Sequence, residues 1–518
     1  MILKPISTHP ESERESTDRR STSEQLEVDT YDGKLFIEWD PEAAVTPLAQ
    51  LPFFIQFLKL GCRFELWVDD CPLTYKSPNA PEKVNVLGSL FLSVLSGHNR
   101  YAHMTALLND GVSSTLLGMS KVVSDDSARR ALKKIDETDG VKWLQTHLQS
   151  CYEPLLNTPW ILDCDVTVKP LYGRQEGAEV GYNPHKPGRP SHTYHTYLMA
   201  NLRLVLDVEV QAGNQTQSMY SAPGLLALLD RLPQSCWPRF VRGDCDWGSE
   251  PIMQALEEKD MDYLFKLKKS GNVKKLIMKH HGLGHWTKVK AGWEAKEDQL
   301  QLAGWSTTRR VVVLRRRVEK ENSLLIEQDA EGQQSFGFID EPEKFKLFEY
   351  SVLVTSLEDD VVAIMNHYRD RADCENVFDE IKNQWGWGGY TTRDLTSCRL
   401  MSRNIALIYN WWSLFVRMMN PPGEGHREAM TTRPLMLSGV GRVTQSGRQK
   451  VMTVTNHHGR AEKVRELFQQ ANKFFSALKA IAPQLSSAER WCRILEKVVE
   501  KILPKGCVGP PKLCYSRV

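Results

Sequence analysis

Between residues 160 and 268 the chain alternates strand-like and helix-like segments in one order, and that order restricts the fold most. WILDCDVTV (160–168) is β-branched and apolar and reads as a strand. Segments 194–202 and 203–211 read as two further strands, joined as a hairpin. Helical patterning follows at 221–232, a short strand at 239–244, a helix at 249–259 and a strand at 262–268. The order β-β-β-α-β-α-β predicts an α/β fold, a mixed sheet flanked by helices. At 518 residues the chain exceeds what one core organises, so further domains are expected.

The flanking segments divide accordingly. Residues 1–25 are polar and charged and are expected to be a disordered tail. Residues 26–155 are mostly helical by pattern. Within them, 112–119 and 128–136 read as two short helices around a turn, with Ser124, Asp125, Asp126 and Ser127 as N-cap candidates for the second. The second carries Arg129, Arg130, Lys133 and Lys134, which fits a helix-turn-helix. Residues 269–360 break the alternation and read as a β-rich insertion. Residues 361–420 return to helix, with a long helix at 366–383 and an apolar one at 397–418. Residues 421–518 form a C-terminal helical region with a basic, Pro-rich end.

A formal net charge of +2 argues weakly against a polyanionic partner, but the charge is segregated. Residues 263–293 hold eight lysines, three histidines and no acid. Residues 429–461 hold five Lys or Arg and no acid, and 181–206 lack Asp and Glu. Such stretches create local positive fields that suit nucleic acid. The eleven cysteines form no CxxC pair, so neither zinc nor a disulfide framework is expected. No apolar run approaches the ~18–20 residues of a membrane span, and no signal peptide is visible, so a cytoplasmic protein is expected.

Three acidic blocks carry the chemistry. In LDCDVTV, Asp163 and Asp165 share one strand face with Thr167. In VRGDCDWGSE, Asp244 and Asp246 follow a strand, between Gly243 and Gly248. In HYRDRADCENVFDEIKNQ, Tyr368, Arg371, Glu375 and Lys382 fall at about 0°, 300°, 340° and 320° around a helix. Such a stripe is a poor core stripe. Carboxylates from two strands and one helix match what Mg²⁺ takes from a protein, and two such ions assist phosphoryl transfer. Arg371 and Lys382 are then suited to phosphate.

The stripe Y-x2-R-x3-E-x6-K, preceded by the two Asp blocks, resembles the signature of bacterial insertion-sequence DDE transposases. The block LYGRQEGAEVGYNPHKPGRPSH resembles one subgroup of them. The resemblance covers 160–419 and implies an RNase H-like catalytic core (156–268 and 361–420) interrupted by the β-rich insertion. It implies Asp165, Asp244 and Glu375 as catalytic metal ligands for two Mg²⁺ (or Mn²⁺) ions, with Asp163 and Asp246 as rivals. It implies Tyr368, Arg371 and Lys382 as DNA contacts. Arg129, Arg130, Lys133, Lys186 and Arg189 are further DNA-binding candidates. Trp286, Trp293 and Trp305 could stack a flipped base, although core packing is the commoner use of Trp. The implied activity is cleavage of the element's terminal inverted repeats and transfer to target DNA by a homodimer at the nucleoid. An RNase H-like nuclease without strand transfer, or a non-catalytic DNA-binding descendant, would carry much of the same pattern.

Overall fold

The structure, a computed structural model, describes residues 26–40, 42–281, 284–317, 348–421, 424, 426–455 and 460–502. The predicted tail at 1–25 and the basic chain end after 502 lie outside them, as does 318–347 of the predicted insertion. The chain divides into two compact units, 1–44 and 45–518. The first holds a hairpin, β1 (Leu26–Thr30) and β2 (Gly33–Ile37).

The second unit opens with β3 (Val45–Thr46) and helices α1 (Leu51–Leu60), α2 (Arg63–Asp69) and α3 (Lys83–Leu95). Then come α4 (Ser113–Leu116), α5 (Asp125–Leu132) and α6 (Glu137–Tyr152). Ser124 caps α5, its hydroxyl accepting from Ser127 N. The first helix of the predicted helix-turn-helix is thus a single turn. α5 itself packs Ala128, Ala131 and Leu132 into the core.

The expected alternation follows. The strands are β4 (Ile161–Pro170), the short β5 (Glu179–Val180), β6 (Pro190–Met199) and β7 (Leu204–Ala212). Helix α7 (Ser218–Asp230), β8 (Phe240–Gly243), α8 (Glu250–Glu257) and β9 (Tyr263–Lys266) complete the run. Each predicted segment lies within a few residues of the element formed, because the apolar periods of strand and helix differ.

The segment predicted as an insertion begins with a helix, α9 (Gly271–His281). It continues through β10 (Thr287–Lys288), β11 (Trp293–Leu300), β12 (Arg309–Arg317) and β13 (Phe348–Thr355). These strands extend the main sheet. Among the described residues its ten strands run β10-β11-β12-β13-β9-β8-β4-β6-β5, with β7 also on β6. β4, β8 and β9 are parallel to one another, and the other pairs are antiparallel.

The helix predicted at 366–383 is broken. It forms α10 (Val361–Arg369), turns at Asp370 and Arg371, restarts as α11 (Ala372–Glu380) and ends in a π-helical turn, Ile381–Trp385. Next is α12 (Leu395–Met419), buried along almost its whole length. α13 (Ala429–Met436), the hairpin β14 (Gly441–Ser446) and β15 (Gln449–Val454), α14 (Ala461–Ile481) and α15 (Ser487–Ile502) close the described chain.

α12 explains why β7 can end the sheet without exposing an edge. Asn410 of α12 receives Val205 N at 2.9 Å and donates to Val205 O at 2.7 Å. Arg399 Nε donates to Val210 O, Tyr409 Oη to Arg203 O and Arg417 Nη2 to Leu202 O. Arg403 pairs with the buried Asp207 at 2.8 Å. The polar residues inside an otherwise apolar helix thus occupy backbone groups that an edge strand leaves open.

Candidate active-site cleft

β4 and β8 place Cys164 opposite Gly243 in parallel register. The next residues, Asp165 and Asp244, therefore emerge as neighbours at one end of the strand pair. Both line a cleft of about 610 Å³, with Thr167, Tyr182, His185, Ser218, Lys268 and Lys382 among its other walls. Gly243 is needed at this turn. A Cβ there would sit 2.5 Å from the ring of Trp247.

The structure separates the two acids of each block. Asp163 is buried and held bidentately by Arg242, Nε to Oδ1 at 2.5 Å and Nη2 to Oδ2 at 2.7 Å. Arg242 also donates to the carbonyl of His367, which ties β8 to α10. With both carboxylate oxygens committed, Asp163 is part of a buried ion pair. Asp246 accepts from Ser218 N at the start of α7 and from Lys268 Nζ, the latter at 2.6 Å. It stands where a helix N-terminus favours an anion. Burial alone would raise the Asp246 carboxyl, but Lys268 and Ser218 outweigh it and hold the carboxyl below its usual range.

Asp165 behaves differently. Burial, reinforced by the charge of Asp244 and opposed by Arg371, pushes its carboxyl up to about 6. Two carboxylates brought together in a half-buried cleft are electrostatically unfavourable without a cation. Arg371 Nη2 supplies one at 2.6 Å from Asp165 Oδ2. Burial lowers the guanidinium pKa, and Asp165, Tyr368, Cys374 and Asp244 more than restore it, leaving it raised. Arg371 Nε is buried and has no hydrogen-bond partner among the described residues.

Tyr368 and Lys382 belong to the same site, since both interact electrostatically with Asp165. Burial raises the Tyr368 phenol and lowers the Lys382 ammonium. The helical stripe therefore brings Tyr368, Arg371 and Lys382 to Asp165 despite the break at 370–371.

Glu375 is not drawn in with them. Its side chain is 72% exposed, its Oε1 is 3.9 Å from Arg371 Nη1, and it does not line the cleft. Among the described residues no three His, Cys, Asp or Glu side chains are grouped to hold a metal ion. The cause is local: α11 restarts after the turn, and its first-turn Glu375 faces outward. Asp379, one turn further on, falls at about 20° on the same wheel and was legible there. It acts on Lys382 and accepts from Asn383 Nδ2 at 2.7 Å.

Two groups of predicted DNA contacts separate. Lys186 and Arg189 flank the exposed ring of Tyr172, their charged groups 5.1 and 4.8 Å from its centroid. The same loop contributes Tyr182, Asn183, Pro184 and His185 to the cleft. Arg129 and Arg130, by contrast, pair with Asp125 and Asp126 of their own helix at 3.0–3.3 Å. Lys133 is the C-cap of that helix, and Lys134 lies over Tyr75. The three tryptophans are covered by arginines: Trp286 by Arg315 at 4.0 Å, Trp293 by Arg316 at 5.1 Å and Trp305 by Arg309 at 5.2 Å. Each ring thus has one face taken by a guanidinium.

Fold and site together define an α/β protein with a mixed sheet whose parallel strands present two adjoining carboxylates, faced by a guanidinium, an ammonium and a phenol. The family model for the transposase DDE domain, group 1, matches residues 81–474, and the chain belongs to that family. A cryo-EM structure of a piggyBac transposase synaptic complex with hairpin DNA is similar at a TM-score of 0.41 and 12% identity, covering 90% of this chain and 87% of that chain. No curated protein matches. Among the described residues no helix is long and apolar enough to cross a membrane.

Proposed function

We propose that this chain is an insertion-sequence transposase with an RNase H-like core, which cuts DNA at its element's ends and joins the freed strand to a target. The observation that carries this reading is the placement of Asp165 and Asp244 side by side in one cleft, opposite Arg371 and Lys382. The β-β-β-α-β-α-β order supports the core assignment.

The donor set fits a divalent cation. Mg²⁺ needs only one or two carboxylates when substrate phosphate and water fill its other positions, and the raised Asp165 carboxyl marks a place where a cation relieves charge. Asp165 and Asp244 would hold Mg²⁺ or Mn²⁺, with Glu375 as third ligand once its exposed side chain turns inward. Two such ions, when bound, supply Lewis-acid stabilisation to the attacking and leaving oxygens.

The chain's own residues then divide the work. Arg371, bonded to Asp165 through Nη2, offers the remaining donors of its fork to a phosphate. Lys382 acts as a point charge near the same group, and the Tyr368 phenol stands close enough to interact with Arg371 and Asp165. The Tyr172–Lys186–Arg189 stack, beside the cleft-lining loop, suits the phosphates of the flanking strand. Two ends must be held for joining, so a homodimer on DNA is expected.

The test is cleavage and joining on labelled DNA carrying the sequences that flank the coding region, with Mg²⁺ or with EDTA, beside Glu375→Gln. Metal-dependent cleavage and joining, with binding retained but cutting lost in the variant, supports the reading. Cleavage without joining points to a nuclease. Binding without cleavage in the wild type points to a non-catalytic DNA-binding protein.

A further inference from the structure

The hairpin β14–β15 has no place in the cleft chemistry. β14 meets β3 only through Gly441 and Arg442, opposite Thr46 and Val45. Beyond Arg442 the two strands pair only with each other among the described residues, Val443 with Met452 through Ser446 with Gln449. They form a two-stranded ribbon that turns at Gly447, where φ is +57°.

Residues opposite one another in an antiparallel pair share a face. One face carries Arg442, Thr444 and Ser446 against Thr453, Val451 and Gln449, and all six are exposed. The other face holds Val443 and Met452, which are half-buried, and nearer the tip Gln445 and Lys450, which are exposed. The fully exposed face is therefore hydrogen-bonding, with one cation, Arg442, and one aliphatic group, Val451. Arg448 stands at the tip and Lys450 beside it. Unlike Arg129 and Arg130, none of Arg442, Arg448 and Lys450 has an ion-pair partner among the described residues. Residues 429–461 contain no acid to neutralise them.

We propose that the β14–β15 ribbon is a sequence-reading arm that enters the major groove of duplex DNA. In this arrangement Arg442, Arg448 and Lys450 lie on phosphates and Thr444 and Gln449 reach base edges. The dimensions agree. The four steps from Arg442 to Ser446 span roughly 14 Å at ~3.4 Å each, beyond the ~8.5 Å depth of the groove, and a two-stranded ribbon fits its ~12 Å width. Gln is suited to adenine, Thr or Ser to any base edge, and an aliphatic group such as Val451 to the thymine methyl. A protein partner fits less well, since three unneutralised cations would need matching acids. The proposal rests on the reading of the chain as a DNA transposase, and it places recognition in a segment separate from the carboxylate cleft.

The experiment uses the full chain in EDTA, with two labelled duplexes read by fluorescence anisotropy across a salt series. One duplex is taken from the sequence flanking the coding region, and the other is the same bases shuffled. Arg442→Ala/Arg448→Ala/Lys450→Ala is expected to lower the slope of log affinity against log salt by about 0.9 per lost phosphate contact, close to 2.7 in all. Lysine at the two arginine positions should restore most of it. Thr444→Ala/Gln449→Ala should leave the slope alone and cut the preference for the flanking duplex by about five- to a hundredfold. A 7-deazapurine duplex, lacking the major-groove N7 acceptors, should weaken wild type and not add to that variant's loss. These positions are exposed, so unfolding midpoints should not move. Ribbon variants that match wild type in slope and preference overturn the proposal and leave the transposase reading intact, as does a wild type that binds both duplexes equally in EDTA yet cleaves the flanking one when Mg²⁺ is supplied. A wild type that neither binds nor cleaves DNA overturns both.

Discussion

Replacing Asp163 by Asn should unfold the protein more readily without touching its chemistry, whereas Asp165→Asn should do the reverse. Asp163 and Arg242 are only 2% and 1% exposed, and two bonds of 2.5 and 2.7 Å join them. A hydrogen bond to a charged group contributes about 1.5–3 kcal/mol, and removing one member of a buried pair costs about 3–5 kcal/mol because the other charge is stranded. Asp163→Asn is therefore expected to lose about 3 kcal/mol or more, a large share of the ~5–15 kcal/mol that holds a typical native protein. Asp165→Asn relieves repulsion from Asp244 and weakens the Arg371 bond, two opposed effects, so its stability should change by less than about 1 kcal/mol. Its cleavage should fall on the order of a thousandfold, the several kcal/mol that a metal ligand supports. The assays are urea unfolding followed by tryptophan fluorescence, and metal-dependent cleavage of flanking DNA. The pair Asp163→Leu with Arg242→Met should cost less than either change alone, since both charges leave together. An Asp163→Asn protein with an unchanged midpoint and no cleavage, beside an active Asp165→Asn protein, would refute the assignment of the two acids.

Lys169 is buried, donates to Tyr194 Oη at 3.2 Å and to the Gly389 carbonyl, and burial lowers its ammonium to about 8. The unfolded chain holds this proton up to about 10.4. Unfolding stability should therefore rise between pH 8 and 10 in wild type relative to Lys169→Met, by on the order of 3 kcal/mol over the full window, and a flat difference would show that the group is not desolvated. Asn410→Leu should lose about 2–4 kcal/mol and speed amide exchange at Val205, because both polar groups of that residue then lack a partner. Unaltered exchange would mean that α12 does not seal β7. Arg371→Lys should keep a charge near Asp165 but lose the fork, and cleavage should fall at least tenfold while Glu375→Gln still binds DNA. An Arg371→Lys enzyme of wild-type rate would remove the guanidinium from the phosphate site.

Periodicity alone located β4, β6, β7, β8, β9, α7 and α8, and it located α12, because alternating and 3.6-residue apolar patterns record which face of each segment is buried. It also put Asp165 on a strand, Asp244 just after another, and Arg371 and Lys382 on one helical face. Pattern could not distinguish Asp163 from Asp165, nor Asp244 from Asp246, since each pair is spaced alike along the chain. Arg242 takes Asp163, and Lys268 with the start of α7 takes Asp246. The same limit made α10 and α11 look like one helix, and it did not show that β11, β12 and β13 of the predicted insertion continue the main sheet.

Basic composition was equally incomplete. Arg129 and Arg130, read as a recognition surface, have Asp125 and Asp126 of their own helix beside them, while the cations of the plain stretch 441–454 stand on a ribbon and have no ion-pair partner among the described residues. What the residues alone determined is the set of elements, their order and the chemical groups available at their ends. What only the tertiary structure decided is which groups are consumed in ion pairs and which stay open to a partner, because a charge is neutralised by whatever the fold brings within a few ångströms of it, however far away that residue lies in the chain.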